Sequence, residues 1–302
     1  MLMKFNFKTY CLINELPKIG SIKGHKIASY LRHNIDNIGQ LIDLYNEVVI
    51  KEKFNKISNK IMHEVYNKVI NIIESSKYNN IDAIGYDDDQ YPHKFKNIHD
   101  APLVLYSKGD VSLLNSNKNT VAIIGSRNPS TYGSKISYKV SELFSKNNYI
   151  VASGLAMGCD TQAHTSCLDN KSQTIAIMPS SLDNISPKSN TILAERIIME
   201  GGCLLSEYPV GSSMNKFNYI ARDRLQSAIS NLVILIESKI DGGSMHAIKF
   251  ANKYNIESYC WLHNKDYLDI NLASGNIYLI KNNLAKPLKS SSDILKIIEH
   301  IE

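Results

Sequence analysis

The sequence lacks the long apolar segments and the paired cysteines that mark several classes of protein. No segment of its 302 residues approaches the length of a membrane span, and residues 1–20 contain neither a long apolar run nor a small-residue cleavage site. The five cysteines have no CxxC spacing, which argues against a zinc site and against a disulfide framework. These absences predict a soluble protein of the reducing cytosol, without membrane attachment.

Charge of neither sign is in large excess. The chain has 34 Lys and Arg against 29 Asp and Glu, for a net charge of +5. This mildly basic balance permits a nucleic-acid partner without identifying one. Hydrophobic residues make up 43% of the chain, which is typical of a globular protein, and its length allows one large or two smaller domains.

Two nucleotide-binding signatures are missing from the most informative stretch, VAIIGSR at residues 121–127. This stretch predicts a buried strand that enters a glycine turn, and an amphipathic helix follows. From Gly125 the sequence is GSRNPS rather than GxGxxG, and no Walker lysine follows, so the segment predicts no dinucleotide and no P-loop cofactor. The turn still offers backbone N–H groups to an anion, to which Arg127 adds a positive fork; ordinary turn chemistry is the alternative.

The chain divides into a helical first quarter and an alternating remainder. Residues 8–75 predict helices, two of them around a glycine turn at residues 17–20. That turn resembles a helix-hairpin-helix, whose N–H groups contact a DNA phosphate, but a plain helical packing unit is the favoured alternative. We predict a helical domain over residues 1–77 and an α/β domain over residues 78–302.

In the second domain, apolar strands alternate with amphipathic helices, which predicts a mostly parallel sheet covered on both faces. The predicted strands are residues 81–84, 103–106, 121–124, 149–152, 174–178, 203–206, 232–236 and 257–261. The predicted helices between and after the later strands are residues 131–147, 160–169, 190–200, 218–229 and 244–254. Ligands of such a sheet bind at the carboxyl ends of the strands, so the loops there are the candidate site.

These loops contain glycines, small polar residues and cations close to helix starts. The candidate binding residues are Gly125, Ser126, Arg127, Ser153, Gly154, Gly158, Asp160, Lys188, Tyr219, Arg222, Arg224, Gly243 and Ser244. Three glycine-bearing helix starts at one end of a sheet predict a phosphate- or nucleotide-shaped groove. The nine histidines are dispersed without metal-ligand spacing, and no defensible Ser-His-Asp order is present, so neither a metal site nor catalysis is predicted.

Several candidates have a second interpretation. Asp160 either caps the following helix or binds a ligand or orients Arg127. Lys188 either binds phosphate or is simply solvated. Arginines at a helix start oppose the helix dipole, so Arg222 and Arg224 are expected to serve a ligand or an acidic partner. Tyr219 is placed to stack on a base.

The order of these motifs resembles that of the DprA/Smf family of DNA-processing proteins along almost the entire chain. The matching segments are YPHKFKNIHDAPLVLYSKGD at 91–110, VAIIGSRNPSTYG at 121–133, SGLAMGCDTQAH at 153–164, LLSEYPVG at 204–211, the 219–230 run with its two arginines, the GGS at 242–244 and ASGNIYLIKNNLAKPLKSSSDIL at 273–295.

The resemblance implies an extended Rossmann-like, doubly wound domain after a helix-hairpin-helix or SAM-like leader. It implies a cytoplasmic, non-enzymatic homodimer that binds single-stranded DNA without cutting it and loads RecA recombinase onto it during natural transformation. Carried over by position, the candidate binding residues would line the DNA groove, with no metal and no cofactor.

Five departures from the family pattern predict a divergent member. They are Asp223 in place of asparagine, Pro-Ser-Ser at 179–181 in place of a glycine-rich turn, Ala228 in place of glycine, Ala247 in place of threonine and Trp-Leu-His at 261–263 in place of a Pro-Gly turn. Asp223 puts a negative charge into the predicted groove.

A nucleotide-sensing or nucleotide-hydrolysing module of the related lysine-decarboxylase-like fold is the alternative. Those hydrolases resemble this chain in fold and use PGGxGTxxE, with the acid in catalysis. The comparable position here is Lys249, and a cation cannot stabilise a ribosyl oxocarbenium. The hydrolase interpretation is therefore weaker than the sensor.

Overall fold

The computed structural model describes residues 4–264, 269 and 271–301. Residues 1–3 and 302, at the outer limits of the two predicted domains, lie outside the described residues. No described helix is both long and apolar enough to cross a bilayer.

Within residues 4–78 the structure describes four α-helices. These are α1 (Phe7–Asn14), α2 (Ser21–Ala28), α3 (Ile38–Glu52) and α4 (Asn59–Tyr78). Asn37 and Ser58 cap α3 and α4, because each side chain accepts the N–H of the residue three positions on. Residues 53–58 fall inside the stretch predicted to form helices but are not helical, since Lys53 takes a left-handed φ of 56° and ends α3.

The described residues of the second part form one nine-stranded sheet. Its strands are β1 (Asp82–Gly85), β2 (Val104–Gly109), β3 (Thr120–Ile124), β4 (Ile150–Ser153), β5 (Thr174–Met178), β6 (Cys203–Ser206), β7 (Leu232–Leu235), β8 (Glu257–Trp261) and β9 (Lys286–Leu288). The spatial order is β1-β2-β6-β5-β4-β3-β7-β8-β9. The seven strands β3 to β9 are parallel to one another, whereas β2 is antiparallel to both β1 and β6. The predicted α/β class with a mostly parallel sheet is confirmed.

Helices cover both faces of this sheet. They are α5 (Thr131–Lys146), α6 (Cys159–Asp169), α7 (Thr191–Met199), α8 (Lys216–Ala228), α9 (Met245–Lys253), α10 (Ser274–Lys281) and α11 (Ser291–Ile301). Alternate residues of β3 point to opposite faces: Val121 and Ile123 pack with α5, α6 and α11, and Ala122 and Ile124 with α9 and α10. This alternation is what a doubly wound sheet requires.

The four N-terminal helices pack directly on the sheet. One hydrophobic cluster contains Leu12, Leu41 and Val69 from these helices together with Tyr106 of β2 and Met178 of β5. The predicted boundary at residues 77–78 falls in the last turn of α4, and the two predicted domains share this core.

Candidate functional site

A cleft of about 600 Å³ lies at the carboxyl ends of β3 and β7. It is bounded by the loops after β3, β4 and β7, by α8 from Lys216 to Gln226 and by the start of α9. Eight of the predicted residues line it: Gly125, Ser126, Arg127, Asp160, Tyr219, Arg222, Gly243 and Ser244. The cavity therefore lies at the carboxyl ends of the parallel strands, where ligands of such sheets bind.

Two glycines let the loops after β3 and β4 interlock at the floor of the cleft. A Cβ on Gly125 would lie 2.5 Å from the Sγ of Cys159. Gly158 has a φ of +80°, and a Cβ there would lie 2.4 Å from the carbonyl oxygen of Ser126. The Cys159 N–H also donates to that same oxygen at 3.1 Å. Both glycines thus shape the cleft by allowing close packing of backbone.

Glu237, two residues after the end of β7, holds the loop after β3 in place. Its carboxylate accepts the Ser130 N–H at 2.7 Å and the Ser130 hydroxyl at 2.6 Å, and its carbonyl accepts the Ser126 N–H at 2.7 Å. Ser130 in turn caps α5 by accepting the Gly133 N–H at 2.9 Å. Glu237 is 1% exposed, so this carboxylate positions the loop rather than facing the cleft.

Arg127 presents its charge to solvent at the mouth of the cleft. Its guanidinium carbon lies 4.4 Å from the centroid of the Tyr219 ring, a cation–π arrangement that holds the side chain across the opening. Arg127 is exposed and forms no ion pair with any residue that the structure describes. Its charge is available to an anion.

Arg222, by contrast, is 6% exposed and compensated by two carboxylates. Its Nη1 lies 3.6 Å from Asp160 Oδ2, and its Nε lies 3.2 Å from Asp223 Oδ1. It also donates to Gln226 Oε1 at 2.9 Å. The guanidinium fills the space beside Gly154, where a Cβ would lie 1.1 Å from Nη1. Of the two predicted roles, the structure shows the acidic partner.

Asp160 organises its own loop. Its Oδ2 accepts the N–H groups of Gly154 at 3.1 Å and Ala156 at 3.3 Å. These donors precede α6, so the side chain neither caps the helix nor orients Arg127, and both of those interpretations are wrong. Burial raises the pKa of Asp160, although Arg222 and the two N–H groups oppose this shift.

Asp223 is influenced by the charges of both Arg222 and Arg127. Burial raises the pKa of Asp223 to about 6, and the nearby charge of Asp160 adds to this shift. Arg222 and, more weakly, Arg127 lower it. The predicted negative charge is therefore present at the cleft, and it titrates only a little below neutral pH.

Five predicted residues are outside the lining of the cleft: Ser153, Gly154, Gly158, Lys188 and Arg224. Arg224 is 8% exposed, donates to Glu207 Oε1 at 2.6 Å and lies 3.5 Å from Asp100 Oδ2. Ser153 is fully buried and donates to the carbonyl of Ile123 at 2.7 Å. Lys188 is exposed on a short 3₁₀ turn after β5, outside the lining. The expectation that these side chains line the groove is corrected by their positions, because Arg224 and Ser153 are committed to internal partners. Gly154 faces a smaller recess of about 60 Å³ beside Arg127 and Tyr219.

Sequence reasoning missed two cations that line the cleft, Lys216 and Lys239. Lys239 lies in the loop after β7, so the strand-end rule could have identified it. Lys216 begins α8 and carried no such signal. The lining thus holds four Arg and Lys side chains against the two carboxylates of Asp160 and Asp223. Among the described residues, no group of His, Cys, Asp and Glu could hold a metal ion.

The start of α9 adds unpartnered donors. Gly243 and Ser244 line the cleft, and their backbone N–H groups donate to no acceptor within the described residues. A Cβ on Gly243 would meet no atom within 4 Å, so backbone is directly accessible there. This arrangement suits an anion at a helix start, as the sequence predicted.

Residues 82–299 match the model of the family described as DNA recombination-mediator protein A. The DNA processing protein DprA of Streptococcus pneumoniae is 35% identical over 241 residues, 77% of this chain and 79% of that protein. Protein Smf of Synechocystis is 34% identical over 224 residues, 74% of this chain and 55% of that protein. The chain therefore spans little more than half the length of the Synechocystis relative.

Two solved structures share the fold. The X-ray structure of DprA from Streptococcus pneumoniae superposes with a TM-score of 0.77 at 27% identity, over 97% of this chain and 98% of that one. DprA from Helicobacter pylori, solved for its single-stranded DNA binding mode, superposes with a TM-score of 0.64 at 28% identity, over 73% of this chain and 95% of that one.

Proposed function

The chain belongs to the DNA recombination-mediator protein A family, and from that premise we propose that it binds single-stranded DNA in the cleft without cutting it. The observation that carries the proposal is Arg127, an exposed and uncompensated guanidinium beside an aromatic ring. A guanidinium binds phosphate through a planar fork, and the Tyr219 ring provides a face on which a base can stack.

The rest of the cleft fits a chain of phosphates. Lys216 and Lys239 line it, and so do Gly243 and Ser244, whose N–H groups have no acceptor among the described residues. With four cations and two carboxylates, the lining is positive by two charges when all are ionised. Sequence-independent binding of a strand uses this combination of cations, amides and a stacking face.

The nucleotide-hydrolase alternative has no supporting carboxylate. Lys249 is exposed on α9 and does not line the cleft. The two carboxylates in the lining, Asp160 and Asp223, are both ion-paired with Arg222. A nucleotide sensor is the better second candidate, because a cleft of about 600 Å³ is of a size that holds a small ligand.

The test is Arg127→Ala, compared with wild type by fluorescence anisotropy on single-stranded DNA, duplex DNA and RNA at two salt concentrations. A charge-assisted phosphate contact contributes about 1.5–3 kcal/mol, so we expect a loss of roughly tenfold or more on single strands. The melting temperature should not change, because Arg127 is exposed. Lys118→Ala removes an exposed cation before β3, at the opposite end of the sheet, and should leave the affinity within about twofold.

Equal binding by Arg127→Ala, or a preference of the wild type for duplex, would contradict the proposal. Thermal stabilisation by mononucleotides without any oligonucleotide binding would favour the sensor instead.

A RecA-type recombinase and a second copy of the chain are the partners expected of the family, with a cytosolic location. The resemblance assigns no residue to either partner. Sedimentation equilibrium tests the homodimer. Recombinase filament formation on strands covered by single-strand binding protein, with and without this chain, tests RecA loading.

A further inference from the structure

The net positive charge of the chain lies entirely in its first part. Residues 1–78 contain 12 Lys and Arg against 7 Asp and Glu, whereas residues 79–302 contain 22 of each. The whole excess of five charges therefore belongs to residues 1–78, the segment that contains α1–α4. The candidate cleft lies outside this part, so the cleft does not account for the excess.

Five of these cations form one exposed surface, which we call the lysine face. It consists of Lys23, Lys26, Lys51, Lys53 and Lys56, all exposed, on α2, at the end of α3 and in the connection to α4. Two aromatic rings link these segments, because Lys23 Nζ lies 5.5 Å from the centroid of Phe54 and Lys51 Nζ lies 5.2 Å from that of Tyr30.

Part of this charge is compensated and part is not. Lys26 lies 3.2 Å from Glu52, and Lys51 lies 2.6 Å from Glu47. Lys23, Lys53 and Lys56 form no ion pair with any residue from 4 to 264, at 269 or from 271 to 301. Three ammonium groups on this face are therefore available to external phosphates.

The lysine face lies at the same end of the sheet as the cleft. Gly24 of α2 packs on Leu103, where a Cβ would lie 2.3 Å from the leucine side chain. Leu103 directly precedes β2, which runs antiparallel to its neighbour β6. Tyr106 of β2 pairs with Ser206, the last residue of β6. The start of β2 therefore lies at the carboxyl ends of the parallel strands, where the cleft opens.

The separation suits one continuous strand of nucleic acid. Four strand intervals lie between β2 and β3, which at about 4.8 Å each amount to roughly 19 Å across the sheet. At the roughly 3.4 Å spacing of stacked nucleotides, about six nucleotides cover this distance. The lysine face lies on helices outside the sheet, so a strand that leaves the cleft needs at least this length to reach it.

We propose that the lysine face is a second contact surface for the single strand held in the cleft, and that it binds the phosphates of the strand beyond the cleft. This inference rests on the proposed function of the cleft. It predicts that the lysine face contributes to the affinity for long strands and not for strands short enough to occupy the cleft alone.

The test is the triple variant Lys23→Gln, Lys53→Gln and Lys56→Gln, measured on thymidine oligonucleotides of about 6 and about 30 nucleotides. On the long strand we expect a loss of tenfold or more at low salt. The slope of log K against log salt should become shallower by about 2, because each phosphate contact on a single strand contributes about 0.7. On the short strand the change should remain within twofold.

A matched control removes the same charge at the opposite end of the sheet. Lys118, Lys171 and Lys281 are exposed and precede the parallel strands β3, β5 and β9. Their triple Gln variant should bind both strands within twofold of wild type. All six substitutions are at exposed positions, and circular dichroism would verify that both variants are folded.

The outcomes separate this inference from the proposed function. If the lysine-face variant binds the long strand like wild type, or the control loses as much, the inference is wrong while the cleft stands. If Arg127→Ala leaves short-strand binding intact, the proposed function fails independently. Binding of wild type to anionic phosphatidylserine vesicles that is lost in the triple variant, without an effect on long strands, would assign the lysine face to a membrane surface and overturn the inference.

Discussion

The two sides of the cleft use arginine in opposite ways. In the loop after β3, Arg127 is exposed, lies across Tyr219 and has no described carboxylate partner. On α8, Arg222 and Arg224 are buried and compensated by acids. Identical side chains are thus exposed to solvent on one side and paired with buried carboxylates on the other. The difference is burial, since a charge removed from water requires an internal partner.

Arg222→Met is expected to have the largest effect on stability. The change keeps much of the side-chain volume but leaves the carboxylate of Asp160 buried without its cation. Loss of one partner of a buried pair costs about 3–5 kcal/mol, so we expect the free energy of unfolding to fall by that amount in urea titration. Arg127→Met should change it by less than about 0.5 kcal/mol, because Arg127 is exposed.

The opposite results would contradict a structural role for Arg222 and a ligand-binding role for Arg127. If Arg222→Met retained full stability and lost only affinity for DNA, Arg222 would be a ligand-binding residue. If Arg127→Met were strongly destabilised, Arg127 would be a structural residue.

Asp223 offers a way to sharpen the comparison, because its charge opposes the cations on both sides. Asp223→Asn should raise the affinity for single-stranded DNA several-fold. In wild type the pKa of Asp223 is about 6, so its carboxylate gains a proton and loses its negative charge as the pH falls through 6. DNA phosphates stay ionised over this range, and binding should therefore strengthen from pH 7.5 to pH 5.5.

The variant isolates the contribution of this one group. The other residues of the lining are the same in wild type and variant. The difference between their pH profiles belongs to Asp223, and Asp183→Asn, at an exposed acid outside the lining, is the control. Parallel profiles with equal affinities would show that Asp223 does not act on the ligand.

The sheet could be predicted from the sequence because parallel strands are buried on both faces and form continuous apolar runs. The predicted bounds of β5, β6 and β8 agree with the structure to the residue. Strand β9 was missed, since it has three residues of which two are exposed, and so carries no apolar run.

The location of the cleft was also predictable, but the partners of its side chains were not. Strand ends in a parallel sheet mark a site whatever the residues around them are. The pairing of Arg224 with Asp100 joins segments far apart in the chain, and a single sequence contains no signal for such a contact. Arg127 and Arg224 were both among the candidate binding residues, but Arg127 lines the cleft and Arg224 does not.

Gly243→Ala gives the smallest and most local effect, at a point where the cleft is open. A Cβ there meets no atom within 4 Å, so the free energy of unfolding should change by less than about 0.5 kcal/mol. If a phosphate approaches the N–H groups at the start of α9, the added methyl group should weaken binding of a short single strand by about two- to threefold. Gly20→Ala, at an equally open position before α2, is the matched control and should bind the short strand like wild type. Unchanged affinity in Gly243→Ala would mean that the strand does not reach α9, which would leave Arg127 and Tyr219 as the side of the cleft that binds it.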